Sequence, residues 1–282
     1  MNFFDKQLSL SSGIRFFLAL LVLISSVSFS NLHLLHSKEI DAIEKPIPLI
    51  PRETFFAQAP EDIAVKISPD GKQISFLKIY EGVLNVWTQH IDDKQEAVPA
   101  TKSKDSIFRY YWAKNNEQIL FYRDFSGDEN SHIYSVDLKS SKVIDLTPFE
   151  NIQARLIRQS EKSPDEVVVA INNRDPTHHD LWIINTRTGE RHLIYENKEG
   201  FGELFVDHNQ QPRIGKKSDG SGGYNIFILD SLNGQWKPFI HFDRENSITS
   251  RILDFSADNN RLYYLDSTDS NTAVLYSSKT NS

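Results

Sequence analysis

The chain repeats itself. Short runs of β-branched and aromatic residues recur at Val86-Trp87, Ile133-Tyr134, Leu181-Trp182, Ile226-Phe227 and Val274-Leu275, with the second members spaced 47, 48, 45 and 48 residues apart. Turn-forming tripeptides keep step with them: Pro69-Asp70-Gly71, Asn115-Asn116-Glu117, Ser163-Pro164-Asp165, His208-Asn209-Gln210 and Ala257-Asp258-Asn259. One period is clearest between Asp105 and Glu150. Strands are expected there at Phe108 to Ala113, Gln118 to Arg123, His132 to Asp137 and Lys142 to Leu146, separated by polar turns and closed by Thr147-Pro148. No helical periodicity is sustained in this unit. Four strands in a period of this length predict an all-β chain folded as a β-propeller, with about five four-stranded blades visible. A lone four-stranded sheet cannot bury both of its faces, so neighbouring blades must stack.

The phase of the repeat divides the chain. Residues 63–282 read as the propeller domain. The first blade has strands at Ala64–Ser68, Gln73–Ile79 and Asn85–His90 and a weak fourth near Glu96. The Ser68-Pro69-Asp70-Gly71-Lys72 turn is explained by its own chemistry, because Pro fixes one dihedral and Gly takes the positive one. The third blade covers Ile152 to Asn197 and the fourth Gly200 to Asp243. The fifth has strands at Arg251–Ser256, Arg261–Asp266 and Ala273–Ser277, and Ser282 follows before a fourth strand. The expectation is therefore a partial propeller. Leu253, Phe255, Tyr263 and Leu265 are expected on the unstacked face of its last blade.

Residues 31–62 read as a lead-in segment kept out of any central strand by Pro46, Pro48 and Pro51, with an apolar pair at Phe55-Phe56. Residues 1–30 differ from the rest. Lys6 and Arg15 precede the apolar run Phe16 to Ile24, and small residues reach Ser28-Phe29-Ser30, which is the order of a secretory signal peptide. An uncleaved anchor is the alternative, although the run is short for a full span. Export to a bacterial periplasm is the expected destination. Cleavage would remove two basic and one acidic residue and take the net charge from −7 to −8. That charge offers no basic stripe for nucleic acid. The chain has 0 Cys, which excludes disulfides, thiolate zinc sites and a lipoprotein anchor.

Four stretches invite a chemical reading. Ser218-Asp219-Gly220-Ser221-Gly222-Gly223 resembles a nucleophile elbow, but Asp219 stands where the elbow needs Gly and strands lie on both sides, so a hairpin loop is expected. His178-His179-Asp180 suggests metal ligands or part of a triad. Neighbours on a strand diverge, however, and no further ligand is spaced to join them, so a loop before the third strand is expected. The acidic stretches Asp124 to Asn130 and Asp266 to Asn271 lack the ligand spacing of a calcium loop and read as solvated hairpins. Trp87, Tyr134, Trp182 and Phe227 are expected in the core. No position is assigned a catalytic, cofactor-binding or metal-ligating role, and no cofactor is expected.

An ordered set of motifs carries a resemblance. Phe56, Ser68-Pro69-Asp70-Gly71-Lys72, Tyr110-Tyr111-Trp112, Gly127-Asp128-Glu129-Asn130-Ser131-His132-Ile133-Tyr134, Asp145-Leu146-Thr147-Pro148-Phe149, Asn172-Asn173-Arg174-Asp175-Pro176 and Thr188-Gly189-Glu190 resemble the N-terminal propeller of the prolyl oligopeptidase family of serine peptidases. The branch is the dipeptidyl aminopeptidase and acylaminoacyl-peptidase type, and the likeness runs from about Pro46 to Ser282. It implies a propeller that covers the mouth of an α/β-hydrolase domain and limits entry to short peptides. The family's Ser, Asp and His lie in that hydrolase domain, and no Gly-x-Ser-x-Gly follows here, so no catalytic residue transfers. The resulting expectation is a non-catalytic, substrate-gating propeller, truncated before the hydrolase domain. It would meet peptides through that domain. The alternative is a stand-alone periplasmic propeller of the TolB kind that binds a protein partner. Contact with a membrane is expected only through an uncleaved N-terminal segment.

Overall fold

Alternation of side chains along each strand fixes how the repeats meet. In the computed structural model, which describes residues 63–92, 96–124, 127–128, 130–229 and 234–280, each repeat is one antiparallel sheet whose strands pair in chain order. The first sheet holds β1 (Ile63–Ile67), β2 (Gln73–Tyr80), β3 (Val83–His90) and β4 (Val98–Pro99). The second holds β5 (Tyr110–Trp112), β6 (Gln118–Arg123), β7 (His132–Asp137) and β8 (Val143–Asp145). The third holds β9 (Ala154–Gln159), β10 (Glu166–Asp175), β11 (His178–Asn185) and β12 (Arg191–Tyr195). β13 (Glu203–Val206), β14 (Pro212–Ser218), β15 (Tyr224–Leu229) and β16 (Trp236–Phe242) form the fourth. Among the described residues the fifth has three strands, β17 (Arg251–Phe255), β18 (Arg261–Asp266) and β19 (Val274–Lys279). The five pairs that phase the repeat all fall in the third strands. This is a propeller-type fold. All described residues belong to one unit, Pro60–Ser282. The expected signal segment 1–30 and lead-in 31–62 lie outside the described residues.

Each sheet sends alternate residues to its two neighbours. Ile119 and Phe121 of β6 join Leu77 and Val86 of the first sheet, while Leu120 between them joins Val167, Val169 and Ile171 of the third. β10 repeats the device: Val168 and Ala170 pack with Leu204 and Val206 of the fourth sheet. Ile214, Tyr224 and Ile226 then meet Ile252, Phe255 and Leu262 of the fifth. These side chains are almost completely buried. Each Val, Leu, Ile or Phe among them contributes on the order of 1.5–3 kcal/mol by leaving water. Truncating Leu120 to Ala would cost about 2–5 kcal/mol, because stacked sheets cannot close the gap fully.

Irregularities change some of the expected faces. The weak fourth strand expected near Glu96 is instead Val98–Pro99, where Thr88 pairs with Val98 and Trp87 with Pro99. A proline fits this edge because no further strand asks for its missing N–H. In β17 the register shifts between Ile252 and Asp254, so Phe255 pairs with Leu262 and turns inward at 5% exposure. Simple alternation from Leu253 puts Phe255 on the unstacked face, and the extra residue of the bulge reverses it. Leu253 and Leu275 do lie on the outer face, and Tyr263 and Leu265 are half-buried. Tyr134 is buried as expected, and Trp182 and Phe227 are half-buried against the core. Trp87 is not core. Its neighbour Val86 points to the second sheet, so Trp87 faces away and packs edge-on against Tyr80.

The turns between first and second strands tie successive sheets together. Gly71 takes φ +73°, its N–H donates to the Ser68 carbonyl at 2.9 Å, and Ser68 Oγ donates to Asp70 at 2.7 Å. Asn116, Gln210 and Asn259 occupy the same left-handed place in their own turns, at φ 63°, 62° and 62°. The Asp70 N–H donates to Asn116 Oδ1, Asn115 Nδ2 donates to Asp165, and the His208 N–H donates to Asn259 Oδ1. A buried polar bridge adds to the second interface: Gln118 Nε2 and Ser135 Oγ both donate to the Thr186 carbonyl, at 2.9 and 2.7 Å.

Candidate functional site

The first strands of successive sheets lie side by side. Lys66 Nζ donates to the Tyr110 carbonyl, Gln159 Nε2 to the Trp112 carbonyl and Arg158 Nε to the Val206 carbonyl. Arg158 also pairs with Asp254, so one side chain of the third sheet reaches the fifth across the first strand of the fourth. These strands therefore line the inner side of the propeller. All begin at the end where second strands hairpin into third ones, and end at the tied turns.

At the starting end the first strands enclose a cavity of about 410 Å³. Arg109, Tyr111, Tyr122, Arg155, Leu156, His179, Phe201 and Leu204 are among its walls, so it has an apolar floor and a basic rim. A second cavity of about 340 Å³ shares Arg109, Tyr122 and Arg155. Tyr122 stands at the junction. Its hydroxyl accepts the Leu156 N–H at 2.7 Å, its ring meets Tyr111 edge-on, and the Arg109 guanidinium sits 5.2 Å from its centroid. Burial pushes the Tyr122 hydroxyl up, against the Leu156 hydrogen bond. Among the described residues neither Arg109 nor Arg155 has a carboxylate partner. Glu203 lines the same cavity but is paired with Lys216 at 3.3 Å.

The surroundings register this positive charge. Lys66 titrates below its ordinary value, first through burial and then through Arg109. His179 is lowered to about 4, first through burial and then through Arg155. Its Nε2 is buried without a hydrogen-bond partner. His179 is thus a neutral imidazole at neutral pH, facing a cavity made positive by its arginines.

The opposite end is saturated. A cavity of about 370 Å³ there is lined by Lys114, Arg158, Lys162 and His208 among others. Lys114 pairs with Glu161 at 3.2 Å, and Lys162 Nζ donates to Asn209 Oδ1 at 3.0 Å. Arg158 has Asp254, the Val206 carbonyl and His208 Nδ1. Each of these four basic side chains already has a partner.

The stretches singled out in the sequence fall elsewhere or apart. Ser218 ends β14, and Asp219 to Gly223 form the hairpin into β15. Asp219 accepts the Ser221 and Gly223 N–H groups, and its other oxygen meets His241 Nε2 at 3.0 Å. That imidazole, first among several donors, holds the Asp219 carboxyl well below the carboxylate range. The carboxylate stands between Ser221 and His241, so the imidazole is not placed to take the Ser221 proton.

His178-His179-Asp180 opens β11 and is not the expected loop. Asp175 pairs with His178 across a turn made by Pro176-Thr177, which lengthens the hairpin beyond the sequence signal. Asp180 accepts Arg174 Nε and Nη2, each at 2.8 Å, together with the Asn197 N–H. His178 Nδ1 meets both Asp175 and Thr177 Oγ1, whereas a triad needs the carboxylate and the nucleophile on opposite nitrogens. The three residues serve three separate partners. In the acidic hairpins, Asp128 accepts the Asn130 N–H, and Asp266 accepts from Thr268. Among the described residues no group of three or more His, Asp or Glu is placed to hold a metal ion.

Arg109 and Arg155 escaped the reading of the sequence, yet a signal existed. Arg109, Arg155, Glu203 and Arg251 follow one another at 46, 48 and 48 residues, each at or beside the start of a first strand.

No protein-family model matches the chain. The chain is 33% identical over 229 residues to dipeptidyl aminopeptidase BIII of Pseudoxanthomonas mexicana, a match covering 81% of this chain and 33% of that protein. It is 25% identical over 238 residues to dipeptidyl peptidase family member 6 of Caenorhabditis elegans, covering 79% and 32%. The chain thus spans about a third of the length of these curated relatives. Among solved structures, oligopeptidase B from Leishmania major superposes with a TM-score of 0.51 at 12% identity, over 77% of this chain and 32% of that one. That likeness concerns the fold alone.

Proposed function

We infer, from the premise that this chain carries a propeller domain of the prolyl oligopeptidase family of serine peptidases, that the domain admits peptide substrates and does not cut them. The match to a dipeptidyl aminopeptidase across most of the described sheets carries this reading. The inner cavity supports it, because it offers side chains that can hold a short peptide. The Ser221, Thr177 and His178 geometries support it too, since none sets a hydroxyl and a carboxylate on opposite nitrogens of one imidazole. Hydrolysis would then belong to a hydrolase domain of the kind the family carries. Such catalysis needs an activated nucleophile, a base within reach and donors for the oxyanion.

The test is the purified chain against aminoacyl and dipeptidyl chromogenic amides, with a fluorophosphonate probe for an activated serine. No turnover and no specific labelling are expected. Labelling of one serine, abolished by its change to Ala, would overturn the reading. The basic, apolar and small-residue order of residues 1–30 further supports export. N-terminal mass analysis of protein from its native host should find cleavage near Ser30. An intact Met1 in the cytosolic fraction would refute export.

A further inference from the structure

We propose that Arg109 and Arg155, with Tyr122 between them, form a recognition site for a peptide carboxylate. The proposal rests on the peptide-admitting reading above and names the chemistry that the site selects. Each arginine alone is an exposed side chain of ordinary kind. Their placement is what is unusual. Both line the two cavities that meet at Tyr122, and among the described residues neither is ion-paired, although Asp124 also lines the smaller cavity. The one acidic wall of the larger cavity, Glu203, is already held by Lys216 at 3.3 Å.

The whole chain has a net charge of −7, so a positive cavity runs against its general field. Lys66 and His179, both nearby, are each held toward the neutral form in part by one of the two arginines. An anion entering the cavity relieves that repulsion. Guanidinium groups suit a carboxylate because their planar donors match its two oxygens. The apolar floor of Leu156, Phe201 and Leu204 lowers the effective dielectric and strengthens the attraction. A carboxylate can come from a peptide C-terminus or from an acidic side chain, and both present the same group.

Titration calorimetry on the full chain separates these sources and tests the idea. Three N-acetylated probes are needed: tetraalanine with a free C-terminus, tetraalanine amide, and Ala-Ala-Glu-Ala amide. At least one anionic probe should bind about tenfold or more tighter than the neutral amide, and the advantage should shrink with added salt. R109Q and R155Q should each remove most of that advantage, weakening the anionic probe far more than the neutral amide. Both variants should melt as the parent does, since both side chains are exposed. Equal binding of charged and neutral probes, insensitive to either variant, would overturn the carboxylate site while leaving peptide admission intact. Binding of none of the three would overturn both.

Discussion

Two arginines of one strand make the comparison that organises this molecule. Arg155 and Arg158 both sit on β9. The register shift between Leu156 and Arg158 sets Arg155 opposite Ala170 and Arg158 opposite Val168, on the face that meets the fourth sheet. One inserted residue thus gives two equivalent arginines pointing the same way, at opposite ends of the inner wall. Arg158 is spent on Asp254, His208 and the Val206 carbonyl. Arg155 is spent on nothing acidic among the described residues. The same side chain on the same strand is a structural bolt at one end and an available charge at the other. The end tied by turn-to-turn hydrogen bonds keeps the sheets together, and the end where Arg155 has no carboxylate partner among the described residues is where we propose that a ligand is recognised.

The sharpest way to break this comparison is to remove each arginine's charge in turn. Arg158→Met leaves Asp254 without its cation and the Val206 carbonyl without its donor. Because the cluster is only partly shielded, a loss of about 2–3 kcal/mol is expected. In a domain of this size that lowers Tm by roughly 5–10 °C. Arg155→Met should change stability by no more than about 0.5 kcal/mol. Thermal or urea melts of the two variants side by side decide the matter. Equal losses would show that the two ends do not differ in the way proposed.

A smaller effect is expected at the tied turns. Asn259 holds φ +62° and its Oδ1 accepts the His208 N–H of the preceding sheet at 2.9 Å. Asn259→Ala removes the acceptor and places a residue with no local compensation in a left-handed conformation, for about 1–2 kcal/mol. Asn259→Gly relieves the conformational part and should recover some of that loss. If Gly and Ala are equally harmful in urea melts, the hydrogen bond carries the whole effect. If Gly is neutral, the inter-sheet bond contributes nothing, and the turn end is tied less firmly than the geometry implies.

How much of this could be read in the sequence depends on range. The blades were legible because strand and turn chemistry is local and repeats. The third-strand pairs fall in the third strands, and the turn around Gly71 has the expected dihedral. What was hidden depends on single-residue insertions or on partners a whole repeat away. The bulge in β17 reversed Phe255, and the bulge in β9 aligned Arg155 with Arg158; neither leaves a compositional mark. The bonds from Asp70 to Asn116 and from His208 to Asn259 join residues 46 and 51 apart, so only folded neighbours reveal them. His178-His179-Asp180 was misplaced because Pro176-Thr177 makes a tighter turn than its residues suggest. The arginine rim was legible only to a reader comparing equivalent positions across repeats.

The smallest effect expected tests the charged end through His179. Its pKa falls to about 4 from an ordinary value of 6.5, first through burial and then through Arg155. The folded state therefore binds fewer protons than the unfolded chain between those two values. Stability contributed by this group is fully present above about pH 6.5, declines as pH falls toward 4, and is gone below it. Asp180 and His178 also act on the ring, in opposite directions, and the Gln153 carbonyl favours its charged form. His179→Gln removes the titration, so the gap in Tm between parent and variant should narrow or invert from pH 7.5 to pH 4.5. Arg155→Met removes the repulsion alone, so the His179 midpoint followed by NMR should rise without reaching 6.5. A carboxylate probe bound at the rim should move it the same way. An Arg155→Met midpoint identical to the parent's would mean that Arg155 does not make the cavity positive, and the contrast between the two ends would lose its electrostatic basis.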